Sequence, residues 1–305
     1  MNPPDSPPCP AAPSKLAGRL WILAAALMWS SGGLFVKAGV FDDWSPEVQG
    51  SLLAFWRALF AGLVLAPMIR RPRWNVSLVP LTACFAVMSV VYLVALTRTT
   101  AANAIWLQAT APWWVFLLSV FLFREPVARR ESIPLLFGLL GVGTILCFEI
   151  QGQAKLGVVC GLASGITYAT VVLFMRKLRH ENAVWLVALC HLVTAATILP
   201  WVLYLGIWPS PGQLAVLVGF GVFQMAIPYV FLVRGLRHVS GQEAVAIGLL
   251  EPVLMPLWVY LLGWETPRWW TVAGAGLILV GLVLRYVVWE LLAPQRNGRV
   301  PGSTP

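Results

Sequence analysis

Charged residues are scarce in this sequence. They make up 11% of the 305 residues, whereas soluble domains carry about 25%. Hydrophobic residues account for 59% of the chain, and the mean hydropathy is +0.80. Because a soluble domain must keep a polar surface, this composition excludes an ordinary soluble enzyme, a disordered protein and a disulfide-rich scaffold. It is typical of a helical protein that crosses the membrane many times.

Histidine and cysteine are also few. The three His residues are isolated and offer no metal-ligand spacing. The five Cys residues form no CxxC motif, and four of them lie in apolar runs, so we expect reduced packing residues rather than a disulfide or a metal site. No phosphate-binding GxxxxGK[ST] motif is present, so we expect neither an ATP-driven engine nor a bound cofactor.

Long apolar runs fill most of the chain. A helix needs about 20 residues to cross a bilayer, and the runs predict ten spans, numbered here in chain order. They cover residues 20–40, 46–68, 78–97, 101–122, 132–149, 156–175, 184–206, 213–233, 243–263 and 270–289. Residues 1–18, which are rich in proline, predict a disordered cytoplasmic tail, and residues 291–305 predict a second cytoplasmic tail.

Basic residues are distributed unevenly between the loops. If the N-terminus is cytoplasmic, 16 of the 21 Lys and Arg residues fall on the cytoplasmic side, four fall outside, and Arg57 lies within a span. This bias predicts a multi-pass protein of the inner membrane with both termini in the cytoplasm. The net charge of +9 then reflects topology, so we expect no nucleic-acid partner.

An internal repeat links the fourth and ninth predicted spans. Pro112 and Glu125 are matched 140 positions later by Pro252 and Glu265, and Leu, Ala and Gly residues match in the same register. Proline and glutamate are rare in these segments, so their shared spacing indicates two related halves.

The two halves, residues 19–150 and 155–290, each hold five predicted spans. Because five is odd, the second half enters the membrane in the opposite sense. Lys37 on the predicted outer side corresponds to Arg176 on the predicted inner side, in agreement with this inversion. Inverted repeats are typical of secondary transporters that bind their substrate near the midplane, between the halves.

Several short stretches resemble the EamA-type branch of the drug/metabolite transporter superfamily. They are Trp29–Lys37, Phe55-Trp56-Arg57, Thr99–Ala104 with Pro112, Leu250-Glu251-Pro252, and Leu261–Glu265. The last stretch departs from the family pattern by the insertion of Trp264. The resemblance covers about 20–290 and implies a ten-helix basket whose central cavity is lined mainly by spans 1, 3, 4, 6, 8 and 9.

The resemblance also implies an activity. Members of this branch move small metabolites, such as amino acids or other organic solutes, commonly as exporters. The small multidrug relatives use a Glu in the first span for coupling. This chain has no Glu there, so that mechanism does not carry over.

Arg57 and Glu251 are charged residues that lie well inside predicted spans, where a charge costs about 2.5–3.5 kcal/mol on insertion scales. Arg57 lies about eleven residues into span 2. Either it pairs with a substrate carboxylate or with Glu251, or its side chain snorkels to the membrane surface or bonds nearby carbonyl groups. Glu251 lies just before Pro252, which loosens the helix. It binds a proton or an amino group, or else it is a packing residue that is protonated or paired.

Aromatic and polar residues on the predicted inner spans are further candidates, because pockets for small solutes combine aromatic walls with a few polar groups. Trp29 and Tyr168 occupy equivalent positions in the two halves. The remaining candidates are Tyr92, Gln108, His191 and Gln224. His191 titrates in a range suited to proton coupling. For each of them, a role in helix packing is the alternative.

Two other classes of protein remain as alternatives. A membrane enzyme acting on a lipid-linked substrate needs clustered acids, histidines or a nucleophile at one face. Asp42, Asp43 and Glu47 do cluster, but they lack a base partner and also suit a capping role. A sensor or assembly subunit is the other alternative. The favoured prediction is a secondary transporter of a small molecule in the lipid bilayer, with the proton as one candidate coupling ion.

Overall fold

The computed structural model describes residues 15–69, 72–123, 132–149, 154–239 and 241–288. Regular structure in these ranges is entirely helical. The α-helices are α1 Lys15–Ser30, α2 Gly32–Lys37, α3 Pro46–Leu65, α4 Leu78–Arg98, α5 Ala101–Gln108, α6 Ala111–Phe123, α7 Ser132–Glu149, α8 Lys155–Lys177, α9 Ala183–Leu205, α10 Pro211–Gly221, α11 Ile227–Gly235, α12 Gly241–Gly248, α13 Leu250–Leu261 and α14 Trp269–Val283. Helix α1 includes the last four residues of the predicted N-terminal tail. Residues 1–14, Glu125 and the tail at 291–305 lie outside the described residues.

Eight helical segments in the described part of the chain are long and apolar enough to cross a membrane. They are Lys15–Lys37, Pro46–Met68, Leu78–Arg98, Lys155–Lys177, Ala183–Leu205, Pro211–Gly235, Glu243–Leu261 and Trp269–Val288. The apolar helix Ile133–Glu149 is shorter, and the segment predicted as span 4 is divided between α5 and α6. The fold is therefore that of a helical, multi-pass membrane protein, and the count of ten spans stays a prediction.

Several helices begin where the local sequence satisfies their free N–H groups. Ser45 caps α3, with Pro46 in the first helical position. Asn182 caps α9 by accepting from the backbone N–H groups of Val184 and Trp185. Side-chain caps of this kind fix the start of a helix at a defined residue.

Proline divides two of the predicted spans into paired helices. Pro112 lacks the N–H that would bond the carbonyl of Gln108, and α5 ends at Gln108. Pro252 likewise leaves the carbonyl of Gly248 without its helical partner, and α12 ends at Gly248. The two interruptions lie 140 positions apart, in the same register as the sequence repeat.

A third interruption is a π-helical turn, Val222–Ala226, that joins α10 to α11. Pro228 follows it and removes the N–H that would bond the carbonyl of Gln224. π-turns inside α-helices are frequent at functional sites. Here the turn places Gln224 in the interior of the molecule.

The interior is formed by α4 packed on α8 and α9, by α3 packed on α9, and by α1 packed on α11 and α13, while α7 packs mainly on α14. Glycine permits the closest approaches. A Cβ added at Gly157 would lie 2.7 Å from the backbone at Arg98 and Thr99. A Cβ at Gly141 would lie 2.5 Å from the carbonyl oxygen of Gly274. Small residues therefore set the distance between these helices.

Candidate functional site

The centre of the candidate site is Arg57 on α3. Its side chain is only 3% exposed, although it lies within a membrane-spanning segment. The guanidinium carbon lies 5.3 Å from the ring centre of Phe220 on α10 and 6.0 Å from that of Tyr92 on α4. Aromatic faces stabilise a cation in this arrangement. The buried Nη1 atom has no hydrogen-bond partner among the described residues, so a donor remains available to a ligand.

Glu251 lies in the first turn of α13, directly after the interruption at Leu249. The N-terminus of a helix favours a carboxylate, because the helix dipole is positive there. Glu251 is close enough to Arg57 for an electrostatic interaction, but the two side chains form no direct ion pair. The site therefore holds a cation and a carboxyl group that are neighbours without being bonded to each other.

Aromatic side chains from three further helices surround these two groups. Trp29 on α1 and Tyr229 on α11 meet edge to face, with ring centres 5.2 Å apart. The hydroxyl of Tyr92 donates to the sulfur of Met255 on α13 at 3.6 Å. These contacts connect α1, α4, α11 and α13 around one polar centre.

Tyr168 on α8 differs from the other aromatic residues because it is accessible. It exposes 41% of its surface and yet lies close enough to Glu251 and Tyr286 to interact with them electrostatically. Glu251 is itself only partly buried. Tyr168 and Glu251 are therefore less enclosed than Arg57.

Gln224 contributes an acceptor from the π-turn. Its Nε2 donates to the carbonyl oxygen of Trp29 at 3.2 Å, whereas its buried Oε1 has no partner among the described residues. Gly32 makes room for this side chain, since a Cβ there would lie 3.0 Å from the Gln224 Nε2. An unpartnered acceptor in the interior is costly unless a ligand or water satisfies it.

His191 on α9 packs against aromatic residues of the site. Its ring packs edge to face against Phe85, with centres 5.0 Å apart, and against Tyr229, with centres 6.0 Å apart. It is 1% exposed, and both ring nitrogens lack hydrogen-bond partners in the described part of the chain. Arg57 acts on it electrostatically. His191 thus belongs to the same cluster as a neighbour of Tyr229.

Gln108 is the predicted candidate that the structure does not connect to this cluster. It ends α5, is partly buried, and makes no side-chain hydrogen bond with the other candidates. Two residues that line the cluster, Phe220 and Met255, were absent from the sequence-based candidates. Their signal is weak, because an apolar side chain in an apolar helix looks the same whether it faces a site, another helix or lipid.

The acidic residues near the start of α3 have structural partners. The carboxylate of Asp43 accepts a hydrogen bond of 2.7 Å from Nε2 of Gln213, which ties the loop before α3 to α10. Glu47 lies in the first turn of α3, where its charge suits the helix dipole. In the described ranges, no group of three His, Cys, Asp or Glu residues is placed to hold a metal ion.

The arrangement is chemically suited to binding rather than to bond cleavage. Arg57 offers a donor with a positive charge, Glu251 a carboxyl group, and Gln224 an acceptor, all among aromatic rings. Binding sites for small molecules typically combine apolar walls with a few such polar groups.

Comparison with known proteins gives this site a family context. An uncharacterized transporter of Archaeoglobus fulgidus is 28% identical over 275 residues, which cover 88% of this chain and 96% of the relative. A solved crystal structure shares the fold with a TM-score of 0.61 at 20% identity, covering 92% of this chain and all of the other. The model of the EamA-like transporter family matches residues 16–147 and again 155–287. The chain belongs to the EamA-like transporter family, which confirms the resemblance found in the sequence.

Proposed function

We propose that this protein is a secondary active transporter that exports small organic solutes, such as amino acids, by alternating access. One observation carries the proposal: the buried Nη1 of Arg57 has no partner among the described residues, while an aromatic cage and the nearby Glu251 surround it. A buried, unsatisfied cationic donor is strongly unfavourable in a purely structural role. Binding of an anionic group resolves this cost.

The roles of the site residues follow from their atoms. Arg57 holds a carboxylate of the solute, and Glu251 holds an amino group or a coupling proton. Trp29, Tyr92 and Tyr168 form aromatic walls for the body of the solute, and the unpartnered oxygen of Gln224 accepts one further hydrogen bond. His191 packs against Tyr229 and supports the aromatic residues of the site, whereas Gln108 has no assigned role because, in the described part of the chain, no hydrogen bond connects its side chain to the cluster.

The pairing of the two interrupted spans supports alternating access. Helices α5–α6 and α12–α13 break at positions 140 residues apart, and each break is followed by a proline. Discontinuous helices at corresponding positions of two inverted halves mark the substrate site in many secondary transporters. We propose that residues 19–150 and 155–290 are such halves and that they rock about the site.

The membrane orientation belongs to the same proposal. The basic residues favour an inner-membrane protein with cytoplasmic termini, so export moves the solute toward the Lys37 end of α2. The transporter name of the Archaeoglobus fulgidus relative supports the activity in general terms. It does not specify a solute.

The decisive experiment for binding is a panel of metabolites tested by thermal unfolding of the purified protein. A ligand that binds only the folded state raises the unfolding midpoint. We expect stabilisation by zwitterionic or carboxylate-bearing solutes and none by matched solutes whose carboxylate is esterified. If esters and acids stabilise equally, Arg57 is not the recognition element, and the proposed site is wrong.

A further inference from the structure

One face of the molecule is held by a partly buried ion pair. Nζ of Lys37, at the end of α2, lies 2.7 Å from Oε1 of Glu265, in the loop that follows α13. The two side chains are 16% and 18% exposed. Lys37 lies in the first family-model match and Glu265 in the second, so this pair joins the two matched regions.

Both members of the pair are also bonded to a third segment, the junction between α4 and α5. Lys37 donates to the carbonyl oxygen of Thr99 at 2.8 Å. Oε2 of Glu265 accepts from the backbone N–H of Ala101 at 2.7 Å, in the first turn of α5. This set of three bonds, called here the Lys37–Glu265 latch, closes α2, the α4–α5 junction and the end of α13 onto one another.

The closure extends from the latch down to the candidate site. Gly33 of α2 lies so close to α13 that a Cβ there would be 2.8 Å from Val259 and 3.1 Å from Met255. Nε1 of Trp258 donates to the hydroxyl oxygen of Ser30 at 3.0 Å. Helix α13 therefore packs closely against α1 and α2 between the site and the latch.

The ion pair at the opposite end of the same helices is more exposed. Arg19 at the start of α1 pairs with Glu243 at the start of α12, but these side chains are 55% and 30% exposed. Arg19 and Lys37 lie 18 positions apart along α1 and α2, which is about 27 Å at 1.5 Å per residue. A tightly bonded pair closes one end, and an accessible pair marks the other.

We propose that the Lys37–Glu265 latch is the gate that closes one face of the transport path and that α13 must separate from α2 for solute to leave through this face. This inference rests on the proposed transport function, since a gate needs a path. A partly buried ion pair suits the role: its charges regain hydration when they part, so it opens reversibly. Oε2 of Glu265 also links the gate to the N-terminus of α5, one of the two broken spans.

The gate is tested by electron paramagnetic resonance on full-length protein in lipid nanodiscs. With the native cysteines replaced by serine, spin labels are placed at the exposed positions 38 and 266, on either side of the latch. We expect one short distance in the parent protein and in Lys37→Arg. Glu265→Ala and Lys37→Ala add a longer distance. Glu243→Ala, which breaks the exposed pair, is the matched control and leaves the short distance unchanged.

Hydrogen exchange gives a second readout at the start of α5. Glu265→Gln loses the ion pair but keeps an oxygen that accepts from Ala101, whereas Glu265→Ala loses both. We expect exchange at the start of α5 to rise in the order parent, Glu265→Gln, Glu265→Ala. Equal exchange in all three proteins, together with an unchanged distance in Glu265→Ala, overturns the gate.

Neither readout requires a substrate, so the gate and the proposed function fail separately. Solute transport with an unchanged distance in Glu265→Ala refutes the gate and leaves the transporter. If the distance lengthens in Glu265→Ala but the parent protein transports no solute, the proposed transport function is wrong, and the contact between α2 and α13 is a hinge.

Discussion

Among single residues, Arg57 is unusual, because it is buried in the interior of a chain that contains few charges. The flanking rings of Tyr92 and Phe220 stabilise the guanidinium, but they leave Nη1 without a hydrogen bond. Glu251 is near enough to reduce the free-energy cost of the buried charge on Arg57, yet the two side chains form no ion pair. Arg57 and Glu251 are therefore neighbouring basic and acidic groups that are not bonded to each other.

Substitution of Arg57 separates charge from packing. Arg57→Ala removes the charged donor and should weaken solute binding roughly ten- to hundredfold, because a hydrogen bond to a charged group is worth about 1.5–3 kcal/mol. Arg57→Lys keeps a positive charge and should retain part of the affinity. The measurement is a titration of purified protein with the stabilising solute.

The control for this series is Arg19→Ala, which removes an exposed arginine on α1. It should bind like the parent protein. If Arg57→Ala and Arg57→Lys both fold normally and bind with unchanged affinity, Arg57 is a structural residue.

One of the two roles proposed for Glu251 is to carry a coupling proton. Glu251→Gln keeps the size and hydrogen-bonding capacity of the side chain but does not titrate. We expect it to abolish gradient-driven accumulation in proteoliposomes while exchange of labelled for unlabelled solute continues. Undiminished accumulation by Glu251→Gln would assign the coupling to another group.

At the element scale, the interruptions are as informative as the helices. Pro112, Pro252 and Pro228 each free a carbonyl four residues earlier, and each lies at or near a break or π-turn. Freed carbonyls inside a membrane need another partner. The freed carbonyls therefore mark places where a helix depends on contacts with neighbouring helices and is able to bend.

Restoring one of these N–H groups should stiffen the molecule. Pro252→Ala allows a helical bond to the carbonyl of Gly248 and joins α12 to α13. We expect an unfolding midpoint equal to or above that of the parent and a slower transport rate, measured in the same proteoliposomes. A transport rate equal to that of the parent would show that the break does not move.

Glycine at the α7–α14 contact provides a packing test with a matched control in the same helix. A Cβ at Gly274 would lie 2.7 Å from the carbonyl oxygen of Gly141, whereas a Cβ at Gly276 meets nothing within 4 Å. Gly274→Ala should cost about 1–3 kcal/mol through overpacking. Gly276→Ala should be neutral or slightly stabilising, since alanine favours helix.

Thermal unfolding in detergent distinguishes these two variants. The unfolding midpoint should fall by several degrees for Gly274→Ala and stay level or rise for Gly276→Ala. Equal midpoints would contradict the close contact between α7 and α14.

At the scale of the whole molecule, hydropathy predicted most membrane-spanning helices closely. The run at 184–206 corresponds to Ala183–Leu205, and the run at 78–97 to Leu78–Arg98. The length and apolar content of a segment determine whether it forms such a helix, so the sequence alone is sufficient to predict these spans. The division of 101–122 and 243–263 was not predicted, because proline loosens a helix while the surrounding packing decides whether it breaks.

The charged members of the candidate site could be selected from the sequence, whereas its apolar members could be selected only in part. Arg57 and Glu251 were evident because charge is rare and expensive in a membrane. Phe220 and Met255 were missed because they do not differ in type from the many apolar residues that face lipid. The relation between Arg57 and Glu251, close but unbonded, depends on how α3 and α13 pack and is visible only in three dimensions.

We expect the two halves to carry a small solute past Arg57 and Glu251, and counterflow in proteoliposomes measures this transport. Vesicles are loaded with the unlabelled stabilising solute, and uptake of the labelled solute is followed. We expect a transient overshoot with the parent protein and with Arg19→Ala, and no overshoot with Arg57→Ala. Uptake that is the same in protein-free vesicles, or undiminished in a folded Arg57→Ala variant, would contradict it.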